Sequence, residues 1–301
     1  MADQRNILVV THTGREDSRA AALQTVTAIA ADGARPVLVA EERAELAVIE
    51  PAAGRIPVLG DDVPLADIEA VIVLGGDGTI LRAAELVREG NAPLIGVNLG
   101  HVGFLAEAER EDLAETVRRV LARDYAVEER MAIDVVVYDG AEITHRTWAL
   151  NEATVEKATP GRMIEVVIEV GGRPLSSFGC DGVVMATPTG STAYAFSAGG
   201  PVVWPNIDAM LMVPLSAHAL FARPLVVSPT TVLAVEILDS SSTTGILWCD
   251  GRRSVPLERG DRVEVRRSER PVRIARLARG QFTDRLVRKF DLPVTGWRGG
   301  R

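Results

Sequence analysis

Five consecutive residues, Gly75-Gly76-Asp77-Gly78-Thr79, follow an apolar run and precede a stretch with helical spacing. Glycines at such a turn carry no Cβ, so backbone N–H groups at the start of a helix can approach a phosphate closely. A carboxylate inside an anion-accepting turn would repel that phosphate unless it has a task of its own. Two tasks fit Asp77: taking a proton from an attacking hydroxyl, or holding a magnesium ion. A plainer role is to cap the helix, as Asp often does. The five residues alone leave function and capping evenly matched.

A second constellation is Thr187-Pro188-Thr189-Gly190-Ser191-Thr192-Ala193-Tyr194. Small hydroxyl residues around Pro and Gly predict a tight turn rich in donors and acceptors, with Tyr194 available to stack on a flat ring. Gly199-Gly200-Pro201 marks another sharp bend. Asn151-Glu152 closes a strand-like run, and an amide beside a carboxylate can bracket the two hydroxyls of a ribose or an exocyclic amine. Taken alone, that pair reads more simply as the solvated end of a hairpin. Asp181, between Cys180 and Gly182, is a single carboxylate at a strand edge.

Other chemistries are disfavoured. No Gly-x-Gly-x-x-Gly fingerprint follows a strand, and neither lysine, Lys157 or Lys289, stands in a Walker A loop. Two cysteines, Cys180 and Cys249, cannot build a disulfide framework or a four-ligand zinc site, and His12, His101, His145 and His218 lack metal-ligand spacing. No metal site of the protein's own is expected. Each cysteine opens a Cys-Asp-Gly triplet, which reads as two similar strand ends. The chain of 301 residues is 47% hydrophobic and 25% charged, an ordinary globular composition. Its net charge is −8, yet residues 252–301 hold fifteen basic and six acidic side chains. That asymmetry could mark a polyanion site, but Arg on exposed strand faces, paired with acids elsewhere, explains it more simply. Nucleic-acid binding is not supported. No apolar stretch approaches the roughly 20 residues of a membrane span, and the first residues lack the zones of a signal peptide, so the expected location is the cytoplasm.

The elements that must position these residues fall into two textures. Apolar runs at 7–10, 36–40, 71–74 and 94–98 alternate with helical stretches at 19–31 and 80–88, the pattern of a parallel sheet with helices on its faces. After a helix at 111–122, segments at 134–138, 144–150, 164–170, 232–238, 263–267 and 272–275 alternate or are β-branched. Turn signals such as Asp139-Gly140 and Gly171-Gly172 separate them. These predict a mostly β second domain. Phe282, Leu286 and Phe290 then form one apolar helical stripe, able to fold back on the first domain.

Together the sequence resembles the bacterial NAD kinases, of actinobacterial type. The resemblance rests on residues 75–79, the run Gly96-Val97-Asn98-Leu99-Gly100-His101-Val102-Gly103-Phe104-Leu105, Asn151-Glu152, Asp181-Gly182, and residues 187–194 with Gly199-Gly200-Pro201. It covers residues 71–223 and the tail at 282–298; residues before Asp67 match poorly, so the loop at 11–15 is unassigned. The first motif is shared with phosphofructokinases and with diacylglycerol and sphingosine kinases, whereas the others in this order are specific.

The resemblance implies α/β plus β architecture: a Rossmann-like domain over 1–125, a β-rich, β-sandwich-like NAD-binding domain over 126–278, and a segment at 279–301 returning to the first. It implies transfer of a terminal phosphoryl group from ATP, or from polyphosphate, to the 2′-hydroxyl of the adenosine ribose of NAD, giving NADP. Magnesium would come with the donor. Asp77 would accept the proton, and Gly78 would lie against the dinucleotide. Arg82 would contact the substrate, and Phe104 would pack on the adenine side. Asn151 and Glu152 would hold the adenosine part, and Arg162 occupies a variable basic position. Asp181 and the run Thr192-Ala193-Tyr194-Ala195-Phe196-Ser197 would line the remaining pocket. Relatives of this kind are usually homodimers or homotetramers. A lipid or sugar kinase leaves residues 187–194 unexplained. A non-catalytic dinucleotide-binding regulator leaves Asp77 unexplained, since mere binding favours a neutral residue near phosphates.

Overall fold

The computed structural model describes residues 4–100, 103–106, 108–109, 112–277 and 282–294. The chain divides into two compact units, Met1–Glu129 with Val272–Arg301, and Arg130–Pro271.

The first unit is an α/β layer structure. In chain order it contains β1 (Asn6–Thr11), α1 (Glu16–Ala31), β2 (Arg35–Leu38), α2 (Ala40–Ile49), β3 (Ile68–Leu74), α3 (Asp77–Leu86), β4 (Leu94–Asn98), β5 (Ala108–Glu109), α4 (Leu113–Leu121) and β6 (Ala126–Arg130). β1, β2, β3 and β4 pair in parallel in the order β2-β1-β3-β4. β1 and β4 are buried at every residue and β3 at all but one, as strands covered on both faces must be. α1 and α4 pack on that sheet through Ala21, Ala22, Val26, Ile29, Val117 and Val120. The small alanines let α1 lie close. Strand order reverses between β1 and β3, and a crevice opens beyond the carboxyl ends of strands at such a switch point. Thr11 pairs with Leu74 there, so the turn at 75–79 leaves the sheet at the crevice.

Residues 36–40 do not form one strand. β2 ends at Leu38, and Ala40 already starts α2, where Glu41 and Glu42 fill the favourable first turn of an Ala/Glu/Leu-rich helix.

The second unit is built from β7 (Ile133–Asp139), β8 (Glu142–Ala149), β9 (Glu152–Lys157), β10 (Ile164–Val170), β11 (Arg173–Cys180), β12 (Gly182–Ala186), the short helix α5 (Tyr194–Ser197), β13 (Met210–Leu215), β14 (Leu225–Val227), β15 (Leu233–Ile237), β16 (Gly245–Cys249), β17 (Arg253–Leu257) and β18 (Asp261–Arg267). Two six-stranded antiparallel sheets result, β11-β10-β15-β18-β7-β8 and β14-β13-β12-β9-β16-β17. Val135, Val166, Val235 and Val263 of the first share a core with Val155, Val183, Met185, Met212 and Leu247 of the second. β12 is buried at every residue because the chain after it folds over its outer face, where Val184, Ala186, Ala195, Val203, Leu211 and Val213 make a smaller core. Cys180 and Cys249 are buried, unbridged strand ends.

β19 (Val272–Arg276), expected with the β-rich part, instead pairs in parallel with β4 in the first unit's sheet. Its alternating Val-Arg-Ile-Ala-Arg pattern says strand but carries no information about which sheet it joins. α6 (Phe282–Phe290) returns with it, its Phe282 and Phe290 rings tilted against Phe104 at 6.0 and 5.8 Å.

Candidate functional site

In the first unit, the turn after β3 is shaped around missing side chains. Gly75 has φ +154°, and a Cβ there would stand 2.4 Å from Thr79 Oγ1. Gly76 and Gly78 face open space, leaving the N–H groups at the start of α3 approachable. Asp77 is the first residue of α3, behind an N-cap, Gly76, that has no side chain to bond with. The Asp77 carboxylate does not turn back onto its own helix. Oδ2 accepts the Phe104 N–H and Oδ1 the Leu105 N–H, both at 3.0 Å. Each oxygen keeps a second lone pair. A Cβ on Gly103 would stand 2.3 Å from Asp77 Oδ1, so the bare backbone at 103 is what lets the loop close on the carboxylate. That loop is held from outside as well: Arg285 of α6 donates to the Phe104 carbonyl at 2.8 Å. Phe104 is buried, and Phe282 and Phe290 cover its ring.

Arg82 lies one turn into α3. It donates to the Thr11 carbonyl at 3.4 Å and pairs with Glu42. Glu42, 2% exposed, also accepts the Thr11 N–H at 3.1 Å. Burial pushes its carboxyl up to about 7, against the pull of the Arg82 charge and of its hydrogen bonds. Arg82 is thus steered to the carboxyl end of β1 by a residue that sequence reading missed. The available signal is the Glu-rich start of α2, which lies just beyond the strand expected at 36–40.

In the second unit, Asn151 and Glu152 stand where β8 passes into β9. Thr187 Oγ1 donates to the Leu150 carbonyl at 2.6 Å, and the Thr187 N–H to the Asn151 carbonyl at 2.9 Å. A Cβ on Gly190 would stand 2.0 Å from the Asn151 carbonyl oxygen, so the 187–190 turn lies directly on that backbone. Ser191 Oγ ties the same turn to Val203, accepting its N–H at 2.9 Å. Glu152, 6% exposed, accepts the Tyr194 N–H, while its Oε2 is buried without a hydrogen-bond partner among the described residues. Burial, then the neighbouring Asp250 charge, raises this carboxyl to about 8.

Of the run 192–197, Thr192 and Ala193 are half-buried, and Tyr194, Phe196 and Ser197 are exposed. Ala195 is fully buried in the small core over β12. Burial raises the Tyr194 phenol, helped by the charges of Glu156, Asp181 and Glu152. Asp181 sits at the other end of β12 from Thr187, beside Lys157 at 2.5 Å, whose ammonium lowers its carboxyl. Arg162 is exposed in the turn after β9, also away from Glu152. The structure therefore brings Asn151, Glu152, residues 187–190 and the Tyr194 backbone together. It leaves Asp181 at the far end of β12 and Arg162 in the turn beyond β9, with the Tyr194 phenol raised by the charges of Asp181 and Glu152 alike.

Asp250, after β16, was also missed, although its Cys-Asp-Gly triplet repeats the one that contains Asp181. Five of the arginines after residue 251 are seen in ion pairs among the described residues: Arg253 with Asp250, Arg262 with Glu169 and Glu264, Arg266 with Glu264, Arg267 with Asp208, and Arg276 with Glu128.

Comparison with known proteins places these features in context. The family models described as ATP-NAD kinase N-terminal domain and ATP-NAD kinase C-terminal domain match residues 35–125 and 150–277. The chain is 64% identical over 299 residues to the NAD kinase of Leifsonia xyli subsp. xyli, covering 99% of this chain and 98% of that one. It is 57% identical to the NAD kinase of Thermobifida fusca, over 98% of this chain and 92% of the relative. Among solved structures, yeast NADH kinase complexed with NADH superimposes with a TM-score of 0.84 at 22% identity, covering 98% of this chain and 89% of the other. An NAD kinase from Archaeoglobus fulgidus in complex with ATP gives 0.72 at 24% identity, covering 96% and 100%.

Proposed function

The chain belongs to the NAD kinase family, and from that premise we infer that it is an enzyme transferring the terminal phosphoryl group of ATP to the 2′-hydroxyl of the adenosine ribose of NAD, giving NADP. The observation that carries the mechanism is the placement of Asp77: a carboxylate at the switch-point turn, gripped by two backbone N–H groups and not spent on capping its helix.

A ribose hydroxyl is a poor nucleophile at neutral pH. Asp77 accepts its proton as the new O–P bond forms, a contribution of about 10²–10⁴-fold. Its fixed direction matters as much as its basicity, because much of the remaining acceleration comes from holding acceptor and donor in line. The open N–H groups around Gly76 and Gly78 receive phosphate oxygens, and Arg82 supplies positive charge beside them. Asn151 and Glu152 hold the adenosine part, Tyr194 offers a ring face, and Asp181 and Arg162 serve the outer part of the same pocket. Among the described residues no group of three or more His, Cys, Asp or Glu could form a metal cage. A magnesium ion carried on the triphosphate would find the Asp77 carboxylate at this turn. Magnesium would neutralise phosphate charge there.

Trp204, Ile207, Leu220, Phe221 and Val226 of the second unit are exposed apolar side chains, which supports assembly as a homodimer or homotetramer. Light scattering showing only monomer at micromolar concentration would contradict it. No helix among the described residues is long and apolar enough to cross a membrane. Polyphosphate as a second donor would draw on the arginines from 252 onward, and NADP formation with magnesium and polyphosphate is its test. The function itself is tested by incubating the protein with ATP, magnesium and NAD, or with a sphingoid base or a sugar phosphate in place of NAD. The account requires NADP, with its new phosphate on the 2′-oxygen by phosphorus NMR, and no product from the other two acceptors.

A further inference from the structure

Asp250 occupies a position whose backbone does not call for an acid. It has φ +54° and Gly251 φ +62°, and the Arg252 N–H donates to the Cys249 carbonyl at 3.0 Å, so the two form the tight turn joining β16 to β17. Gly or Asn would satisfy that geometry more readily than Asp. The carboxylate is nevertheless buried, and its bonds run to a segment about a hundred positions earlier. Oδ1 accepts the Asn151 N–H at 2.7 Å and the Leu150 N–H at 3.1 Å, with the Glu152 N–H at 3.4 Å. Oδ2 accepts from Leu150 at 3.0 Å and from Arg253 Nη2 at 3.0 Å. The Asp250 N–H completes the clasp by donating to the Glu152 carbonyl at 3.0 Å. Arg253 is itself fixed, its guanidinium 4.8 Å over the Trp148 ring. Successive N–H groups converging on one buried anion make a rigid backbone nest.

We propose that Asp250 is a positioning residue for phosphoryl transfer to NAD, fixing the backbone of residues 150–152 and with it the direction in which Asn151 and Glu152 meet the acceptor. The proposal rests on the reading that these two side chains hold the adenosine part of NAD. It deepens that reading by naming what holds them. The Asp250 charge acts on Glu152 as well. With one oxygen bonded by Tyr194 and the other without a partner among the described residues, Glu152 keeps its proton up to about 8, through burial first and Asp250 second. Among the described residues, the Tyr194 phenol, the Cys249 thiol and the Arg253 guanidinium are the other ionisable groups that face this pair. In its neutral form Glu152 has an O–H to donate, which a carboxylate lacks.

Two variants test this, both compatible with the turn. Asp250→Asn tolerates positive φ and keeps one acceptor oxygen; Asp250→Gly keeps the turn and removes the clasp. In the full-length enzyme with ATP, magnesium and NAD, KM for NAD should rise about tenfold in Asp250→Asn and further in Asp250→Gly, while KM for ATP stays within about twofold. The pH profile of kcat/KM for NAD should move to lower pH in both, because Glu152 ionises earlier once the neighbouring negative charge is gone. If the glycine variant proves too unstable to purify, the asparagine variant decides through the same KM split and profile. Wild-type KM for NAD with an unmoved pH profile, and only a lower Tm, overturns the proposal; so does an equal rise in both KM values. A wild-type protein that makes no NADP overturns the functional reading and this proposal with it, whereas a working wild type with indifferent variants overturns this proposal alone.

Discussion

Two carboxylates at two turns are given opposite parts in the proposed reaction, and the protein treats them in opposite ways. Asp77 is half-buried, flanked by glycines that face open space, and each of its oxygens takes a backbone N–H. Glu152 is almost wholly buried, holds one N–H bond, and leaves its second oxygen without a partner among the described residues. The first arrangement fixes a charge in a defined direction with lone pairs to spare, as a proton acceptor needs. The second keeps an acid neutral over most of the working pH range, which suits holding a sugar and would be a handicap in a base. The frameworks differ accordingly. Parallel strands deliver Asp77 at a switch point, where their carboxyl ends open a crevice, while the antiparallel sandwich delivers Glu152 at a strand junction clamped by turns from β12 and β16.

Substitutions can break this contrast. The largest effect belongs to Asp77→Asn, which keeps one acceptor oxygen for the Phe104 and Leu105 N–H groups and should lower turnover by about 10²–10⁴-fold, with a fall in stability of only about 1–3 kcal/mol from the N–H that loses its acceptor. Recovery of the lost rate by raising magnesium would move Asp77 from proton acceptor to metal holder. Gly103→Ala comes next. Its Cβ would stand 2.3 Å from Asp77 Oδ1, so either the loop or the carboxylate must shift, and kcat should fall roughly 10–100-fold with KM for ATP little changed. Steady-state kinetics on the two variants together show whether direction or charge matters more.

Glu152→Gln sharpens the other side. Its carboxyl is raised in the fold from the ordinary 4.5 to about 8, so protonation stabilises the native state fully below pH 4.5, and that contribution disappears as pH rises through 8. A neutral Gln escapes the loss: above pH 8 the variant should be more stable than the wild type, on the order of a few kcal/mol in denaturant unfolding, with the gap closing toward pH 5. A stability difference independent of pH would contradict the buried-acid description. The smallest effect is expected for Lys157→Ala. Lys157 holds Asp181 at a partly exposed site, and its loss should cost no more than about 1 kcal/mol. Asp181 is lowered by that ammonium, so whatever the pair contributes is present at neutral pH and lost in acid, a sign opposite to that of Glu152.

Much of this was legible in the sequence, for identifiable reasons. β1, β3 and β4 read correctly because strands buried on both faces are unbroken apolar runs, and α6 because Phe282, Leu286 and Phe290 repeat at helical spacing. β19 misled because alternation identifies a strand without naming its neighbour. β12 and β13 escaped notice because their outer faces are covered by a loop segment, which erases alternation. Asp77 stood out by the oddity of an acid among phosphate-seeking glycines. Glu42 and Asp250 did not, since their importance lies in hydrogen bonds to residues far away in sequence, Thr11 and Arg82 for one and Leu150 and Asn151 for the other.

The division of labour between the two turns is tested most directly by one paired measurement: the dissociation constant for NAD and the single-turnover rate of NADP formation, determined side by side for Asp77→Asn and Glu152→Gln. Asp77→Asn should bind NAD within about threefold of the wild type and transfer phosphate about 10²–10⁴-fold more slowly. Glu152→Gln should bind NAD about tenfold more weakly, and once saturated should transfer phosphate at close to the wild-type rate. If both variants lose binding alone, or if Asp77→Asn transfers phosphate at the wild-type rate, Asp77 is not the proton acceptor and the account fails at its centre.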